Sequence, residues 1–463
     1  MTEKTAAKRA DAGAPCPIMH SCGGCAWLGL PYRKQLARKH AAMCELFEPL
    51  IERFGWDVRV EPVLGMGVSR ESGPVTVADA PLASPRGFRH KASTPFAPAA
   101  DGSVRGGFFA RGTHEIVDCP ACAVEAPGAR DLLNDVARIA WELGIPAYDE
   151  DRRRGQLRYA VVRRGWRTDE SMLTLVTRSL DVDRLGELAE RLVEAHPDLV
   201  TVAQNVNPRV TNAILGGQTR VLMGRERMAD RLLGCMFEIS PVSFYQVNPQ
   251  QTEVLYQLAI DGMALRGSDS VLDTYCGSGT IGLAAAAFAR DHGLEIALTG
   301  VERNAEGVRD AVRNAEINGL EGSSSFIARD ATEYMLEAAA RGDEVDVLVM
   351  DPPRAGSTPT FLDAAASLAP RRIVYISCNP QTQVRDLGQL GRKGYRLDRL
   401  TPVDLFPHTE HVESVAVLTR GRSLISHPAA SGARRTSSRC TCSGNGCRGC
   451  GRGPHASPGT ETP

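Results

Sequence analysis

The stretch VLDTYCGSGTIGLAAA, residues 271 to 286, does most to limit how this chain can fold. An apolar, strand-like run meets Gly277, Gly279 and Gly282 in GxGxxG spacing, and a helical pattern follows at once. Glycines at such a turn let the backbone approach a ligand closely, and the start of the next helix favours polar or anionic groups. Glu302 comes twenty residues after Gly282, at the end of the next apolar segment, where a carboxylate can bind a ribose diol. A dinucleotide and S-adenosylmethionine are served equally by these features, so other residues must decide between them.

The segments VLDTYC, IALTGVE, VDVLVMD, RIVYIS and ESVAVLT alternate with helical patterns over most of 241–420. Such alternation predicts an α/β domain built on a doubly wound, mostly parallel sheet. Upstream, helical spacing over Leu36–Leu50 and Ala129–Leu143 mixes with strand-like RYAVVRR, MLTLVTR and LVTVAQNV, which predicts a separate α+β domain over 15–240. A chain of 463 residues accommodates both, with a flexible arm at 1–14 and a disordered Gly/Ser/Arg/Cys-rich tail at 421–463. Cys440, Cys442, Cys447 and Cys450 in that tail have a spacing that could hold zinc.

Hydrophobic residues make up 43% and charged ones 24%, as in soluble globular proteins. The opening MTEKTAAKRADAGAP has no apolar signal core, and no run is long enough to span a membrane, so a cytoplasmic location is expected. A net charge of -1 does not exclude a nucleic-acid partner, because RGFRHK (86–91) and DRRRGQLRYAVVRRG (151–165) concentrate cations locally. Phe88 and Tyr159 within them are candidate stacking partners for bases, with a solvated charged face as the alternative. Thirteen cysteines in a chain without a leader point to metal ligands or catalytic thiols, not a disulfide framework. Cys44, Cys235 and Cys276 look like ordinary small hydrophobes.

MDPPRAG puts Asp351 and two prolines at the carboxyl edge of the expected sheet, where ligands bind in such folds. An aromatic after DPP would suit stacking of a base whose amine is methylated; Arg354 stands there instead, which shifts weight away from an amine acceptor. IVYISCNPQTQ then delivers Cys378 at the end of a further strand, at the same edge. A lone cysteine is most often packing, but a thiolate is also what C5 of uracil needs. Addition at C6 turns the ring into an enolate nucleophilic at C5, and a base must later remove the C5 proton. Glu413, opening the last strand, is the preferred base over Glu410, His408 and His411, the histidines being equally readable as surface turn residues.

In order, SFYQVNPQQ, DTYCGSGTIG, VERN, DPPRAG, SCNPQTQ and FPHTEHVE resemble the RNA uracil-C5 methyltransferase family, over about residues 15 to 420. The resemblance implies a Rossmann-like methyltransferase domain using S-adenosylmethionine, with Cys378 as nucleophile and Glu413 as base. It also implies donor contacts from Gln246, Tyr275, Glu302 and Asp351, with Thr280 in a slot often held by Asn, and Asp330 near the adenine.

Some members of that family carry an iron-sulfur cluster, and CPIMHSCGGC supplies Cys16, Cys22 and Cys25. The family's fourth ligand follows a His-x-x-Val-Asp stretch, here HEIVDCPAC, which selects Cys122 with Cys119 still open; zinc could use the same set as a [4Fe-4S] cluster. Cluster cysteines present, and only fifteen residues before Cys16, resemble the RlmC-type branch acting on 23S ribosomal RNA more than the transfer-RNA members. RNA is thus the expected partner, with no membrane and no obligate protein partner. A nicotinamide oxidoreductase and a non-catalytic RNA-binding protein are the competing classes.

Overall fold

Two seven-stranded sheets organise the residues described by the computed structural model, which are 16–67 and 84–421. The arm expected at 1–14 and the tail cysteines lie outside them. The first sheet contains β1 (Lys91–Pro98), β2 (Val104–Phe109), β3 (Ile116–Asp118), β4 (Leu157–Arg164), β5 (Ser171–Thr177), β6 (Leu199–Val206) and β7 (Gln218–Gly224). Their order is β3-β2-β1-β4-β5-β6-β7, antiparallel except for the β5–β6 pair. A hairpin of β8 (Met228–Leu232) and β9 (Cys235–Ile239) follows.

The second sheet holds β10 (Ser270–Thr274), β11 (Ala297–Glu302), β12 (Ser324–Ala328), β13 (Val347–Met350), β14 (Arg372–Ser377), β15 (Tyr395–Val403) and β16 (Glu413–Arg420). The order β12-β11-β10-β13-β14-β16-β15 reverses direction between β10 and β13. The pairs among β10 to β14 are parallel and the two involving β16 antiparallel. This is the mixed α/β, mostly parallel arrangement expected, and the reversal opens a crevice at the carboxyl ends of β10 and β13.

The nine helices of the described residues are α1 (Tyr32–Phe54), α2 (Ala129–Glu142), α3 (Leu185–Ala195), α4 (Pro249–Met263), α5 (Thr280–Asp291), α6 (Ala305–Ile317), α7 (Ala331–Arg341), α8 (Pro359–Leu368) and α9 (Pro380–Arg392). Period-two alternation sorts the second sheet's residues between two cores. Val271, Val349, Val374 and Val417 face α4 and α5, while Leu272, Leu348, Ile373 and Leu418 face α1, α8 and α9.

Packing crosses the boundary expected at residue 240. Phe47 and Leu50 of α1 join Leu387 and Leu390 of α9 in one core, and Phe237 of the β8–β9 hairpin joins Leu255 and Leu283 in the other. Lys39 of α1 reaches across to the loop before β16, donating to Asp404 Oδ1 at 2.6 Å, His411 O at 2.7 Å and Phe406 O at 3.1 Å.

Two expectations about the basic stretches need correction. Phe88 is only 6% exposed and packs with Tyr32, Leu36 and Met66, so it is not available to stack on a base. Arg158 and Arg163 are buried as well, bonding backbone carbonyls of residues 207, 209, 243 and 245. No helix among the described residues is long and apolar enough to cross a membrane.

Candidate active site

The glycine turn sits where β10 ends. Tyr275, Gly277 and Gly279 take positive φ values of 63°, 57° and 78°, and α5 starts directly afterwards at Thr280. At Gly282 a Cβ would come within 2.9 Å of both Asp273 Oδ2 and Leu298 Cδ1, so only glycine lets α5 lie this close to β10 and β11. Glu302, ending β11, accepts from Gly277 N–H at 3.2 Å and Asn304 N–H at 2.7 Å, which fixes its carboxylate beside the turn. Asp330 caps α7, accepting from Thr332 N–H at 2.9 Å and Glu333 N–H at 3.3 Å.

Gln246 reaches this turn from a loop ahead of α4. Its side chain bonds Tyr256, whose Oη lies 3.2 Å from Thr280 Oγ1. Tyr275 bonds Ser357 and stands 5.6 Å from the Phe361 ring. Burial alone pushes Asp351 up to about 7, and Asp273 is pushed up to about 8 by burial, with Asp351 and Glu302 adding to it. Asp273 Oδ1 is buried with no partner. Gln246 and Thr280 are thus joined through Tyr256, and Tyr275, Glu302 and Asp351 stand at the carboxyl ends of β10, β11 and β13, the edge at which such sheets bind ligands.

Cys378 follows β14 in the turn that begins α9. Asn379 caps the helix by accepting from Gln381 N–H at 3.2 Å, and Pro380 supplies a first helical residue that needs no N–H partner. The same Asn379 donates through Nδ2 to Arg354 O at 2.9 Å, and Thr382 Oγ1 donates to that carbonyl at 3.4 Å. The DPPR turn is thereby tied to the cysteine turn. On the other side Ser377 pairs in register with Ser414, which brings Glu413 beside Cys378. Gln383 locks this junction, donating to Tyr375 O at 3.0 Å and accepting from Ser414 Oγ at 2.7 Å.

The electrostatics follow from this packing. Burial, then Glu413 and Asp351, push the Cys378 thiol up to about 11 against the opposing pull of Arg354, whose guanidinium also bonds the sulfur. Glu413, 3% exposed, is held well above the ordinary carboxylate range by burial and then by Asp351, again opposed by Arg354. In the sequence Arg354 is notable only for standing where an aromatic ring would suit an amine acceptor; no local pattern marks it as a cation that acts on both groups. Of the other base candidates, His408 is not a surface turn residue. It is buried with φ 65°, and its ring bonds Gln35 and Pro85 O at 3.1 and 2.8 Å.

Away from this crevice, Cys16, Cys22, Cys25 and Cys122 line one cavity of about 250 Å3 between the N-terminal segment, β1 and β2. Gly24 N–H donates to Cys22 Sγ at 3.3 Å. Burial, then Cys122, Cys22 and Cys16, push the Cys25 thiol up to about 12, and burial foremost also raises Cys22, whereas the hydrogen bond from Cys119 brings Cys122 down to about 7. Cys119 does not line the cavity, but its thiol bonds Cys122 as well as donating to Ala121 O at 3.5 Å. No group of three or more His, Cys, Asp or Glu among the described residues is arranged to hold a metal ion, so a cluster ligand set is not established by this geometry.

The profile of the tRNA (Uracil-5-)-methyltransferase family matches residues 219–421. An uncharacterised RNA methyltransferase of Halalkalibacterium halodurans is 39% identical over 407 residues, covering 88% of this chain and 83% of that protein. The chain belongs to the RNA uracil-C5 methyltransferase family. Another uncharacterised RNA methyltransferase, from Staphylococcus aureus, is 36% identical over 405 residues, 87% of this chain and 83% of its own. Among solved structures, the Pyrococcus abyssi tRNA (uracil-54, C5)-methyltransferase bound to S-adenosyl-L-homocysteine superposes with a TM-score of 0.64 at 26% identity, covering 86% of each chain. This methyltransferase is accordingly an S-adenosylmethionine-dependent enzyme that acts on RNA.

Proposed function

We propose that this methyltransferase converts a specific uridine of 23S ribosomal RNA to 5-methyluridine in the cytoplasm, through a covalent bond between Cys378 and C6 of the base. The observation that carries this reading is the juxtaposition of Cys378 with Glu413, both within reach of Asp351 and Arg354. A nicotinamide oxidoreductase would have no use for that pair.

The chemistry needs the uracil outside its stack, since C6 cannot meet a thiol within one. Phe244, 61% exposed two residues before Gln246, offers a ring for the extruded base. Arg354 stabilises the thiolate of Cys378, whose sulfur adds to C6 while electron density shifts to C5 and O4. S-adenosylmethionine, when bound, supplies an electrophilic methyl group for C5. Glu413 as carboxylate then takes the C5 proton; the electron pair restores the 5,6 double bond and expels the Cys378 sulfur. A carboxyl with a raised pKa is the stronger base for that step. Gln246, Tyr275, Thr280, Glu302 and Asp351 hold the donor.

Cys16, Cys22, Cys25 and Cys122 are assigned to a [4Fe-4S] cluster, supported by their shared cavity and by a donor set of four thiols. In this reading residues 15–240 serve RNA binding and 241–420 methyl transfer. The cysteine set favours ribosomal RNA, while the solved Pyrococcus abyssi relative, named for its action on tRNA, favours transfer RNA as the second reading.

The test uses anaerobically purified protein, labelled S-adenosylmethionine and total RNA from a strain lacking the gene. Label is expected in 5-methyluridine of large-subunit RNA, and in none from Cys378→Ala, which should bind S-adenosylhomocysteine as the parent does. Label in transfer RNA selects the second substrate; label in another nucleoside, or turnover by Cys378→Ala, overturns the mechanism.

A further inference from the structure

Lys91 and Arg163 stand beside the loop that carries Gln246, and among the described residues no carboxylate forms an ion pair with either. Lys91, first residue of β1, pairs in register with Arg163 of β4, and residues opposite one another on antiparallel strands project from the same face. Arg163 runs toward the loop ahead of α4, donating to Ser243 O and, at 3.4 Å, to Tyr245 O. Those carbonyls flank the exposed Phe244 and adjoin Gln246. His90 N–H donates to Val247 O at 2.7 Å, which holds the start of β1 against the same loop. Lys91 therefore stands on the face that looks onto the segment carrying Phe244 and Gln246.

Several surface arginines are paired, such as Arg138 with Asp135 and Glu142 and Arg313 with Glu238 and Glu316, but those are exposed charges that water also screens. Among the described residues no carboxylate pairs with Lys91 or Arg163. Asp310, whose charge reaches Arg163, is already engaged by Arg227 Nε at 2.7 Å, Ser240 N–H at 3.0 Å and Ser243 Oγ at 2.5 Å. Arg163 is only 5% exposed, and its Nε meets no acceptor. Two like charges withdrawn from water without a counter-ion are costly. The strain registers on Lys91, whose ammonium is pulled down to about 7 by Arg163, then by burial and Arg89. An arriving anion would relieve it, and RNA carries one per nucleotide.

We propose that Lys91, backed by the buried charge of Arg163, binds a backbone phosphate of the RNA next to the nucleotide that enters the site. The inference rests on the RNA substrate proposed above. Lys91 makes the contact from its half-buried position; Arg163 supplies potential from behind and holds the Ser243–Tyr245 carbonyls. The donor's own carboxylate is the other anion that could satisfy the same pair.

The test measures filter binding of labelled total RNA, from the strain lacking the gene, across a salt series for the parent, Lys91→Gln, Lys91→Arg and Arg341→Ala. Lys91→Gln is expected to lower the slope of log K against log salt by about 0.7 and to weaken low-salt binding about threefold, as loss of one phosphate contact does. Lys91→Arg should restore the slope, Arg341→Ala should match the parent, and S-adenosylhomocysteine affinity by calorimetry should be equal in all four. An unchanged slope in Lys91→Gln overturns the phosphate site, as does a loss of S-adenosylhomocysteine affinity, which would give the cations to the donor. If the parent forms 5-methyluridine while Lys91→Gln keeps the full slope, the phosphate site alone falls. A parent that neither binds nor methylates RNA removes the functional reading and the site together.

Discussion

Cys378 and Glu413 stand one residue beyond the last rung of an antiparallel pairing, where Ser377 faces Ser414. The thiol leaves the carboxyl end of β14 and the carboxylate opens β16, so sheet register itself sets their separation. The proposed nucleophile and base thus rest on rigid elements, and neither depends on a long loop for its position.

Register makes the base testable apart from the nucleophile. In Glu413→Gln, addition and methyl transfer remain possible, but the C5 proton has no acceptor and the C6–S bond cannot break. A protein-RNA species that survives denaturing electrophoresis is expected, with turnover reduced by about 100-fold or more. Its intact mass should equal protein plus methylated RNA fragment after nuclease digestion. Release of 5-methyluridine at the parent rate would assign proton removal to another group.

Arg354 acts on the same pair through charge. Its removal leaves the Cys378 thiol facing burial, Glu413 and Asp351 with nothing opposing them. The Arg354→Ala thiol should therefore titrate at higher pH, and kcat should fall about 10- to 100-fold, the cost of one charge-assisted hydrogen bond. Alkylation rate of Cys378 against pH reads the first effect directly. Arg354→Lys should recover part of both, and an unmoved titration would show that the cation does not serve the sulfur.

How far the site could be read in advance depended on the range of the interactions involved. The glycine turn, the cysteine turn and the β-branched runs of β10, β13 and β14 announce themselves because their constraints are local. The strand β12, SSFIA, carries polar residues at a sheet edge, and β15 mixes Arg and Asp into its alternation, so neither reads as a strand by hydrophobicity. The helical spacing of α1 was plain, but not that it covers the second sheet, since its partners Leu387 and Leu390 lie far along the chain. Phe88 misled for the converse reason: charged neighbours suggested a surface ring, while the ring itself turns inward.

The four-cysteine cavity yields a prediction independent of turnover. Cys22→Ser and Cys122→Ser should lose iron, as measured by iron content and by charge-transfer absorbance of the anaerobic protein. Cys119→Ser should keep it, because Cys119 does not line the cavity and a serine hydroxyl can still donate to Cys122. A lower Tm should accompany iron loss, since the segment bearing Cys22 is held to β2 by Gly23 N–H donating to Phe109 O at 3.2 Å. Protein that binds zinc in place of iron under the same conditions would replace the cluster with a structural ion.

Asp351 links the crevice to pH. Burial raises its folded value to about 7, whereas the unfolded chain ionises near the ordinary carboxylate value of about 4. Between those values the folded protein holds a proton that the unfolded chain has lost, so this carboxyl's contribution to stability is greatest below pH 4 and falls as pH rises toward 7, then levels. Asp351→Asn cannot titrate there. The stability of the parent relative to Asp351→Asn, from urea unfolding, should therefore decline by up to ~4 kcal/mol across that window. The positive sulfonium of the donor favours the ionised carboxylate, so S-adenosylmethionine affinity should rise with pH over the same interval in the parent and stay flat in the variant. Parallel stability curves would mean that Asp351 ionises as an ordinary carboxylate, and that its burial in the crevice does not bear on donor binding.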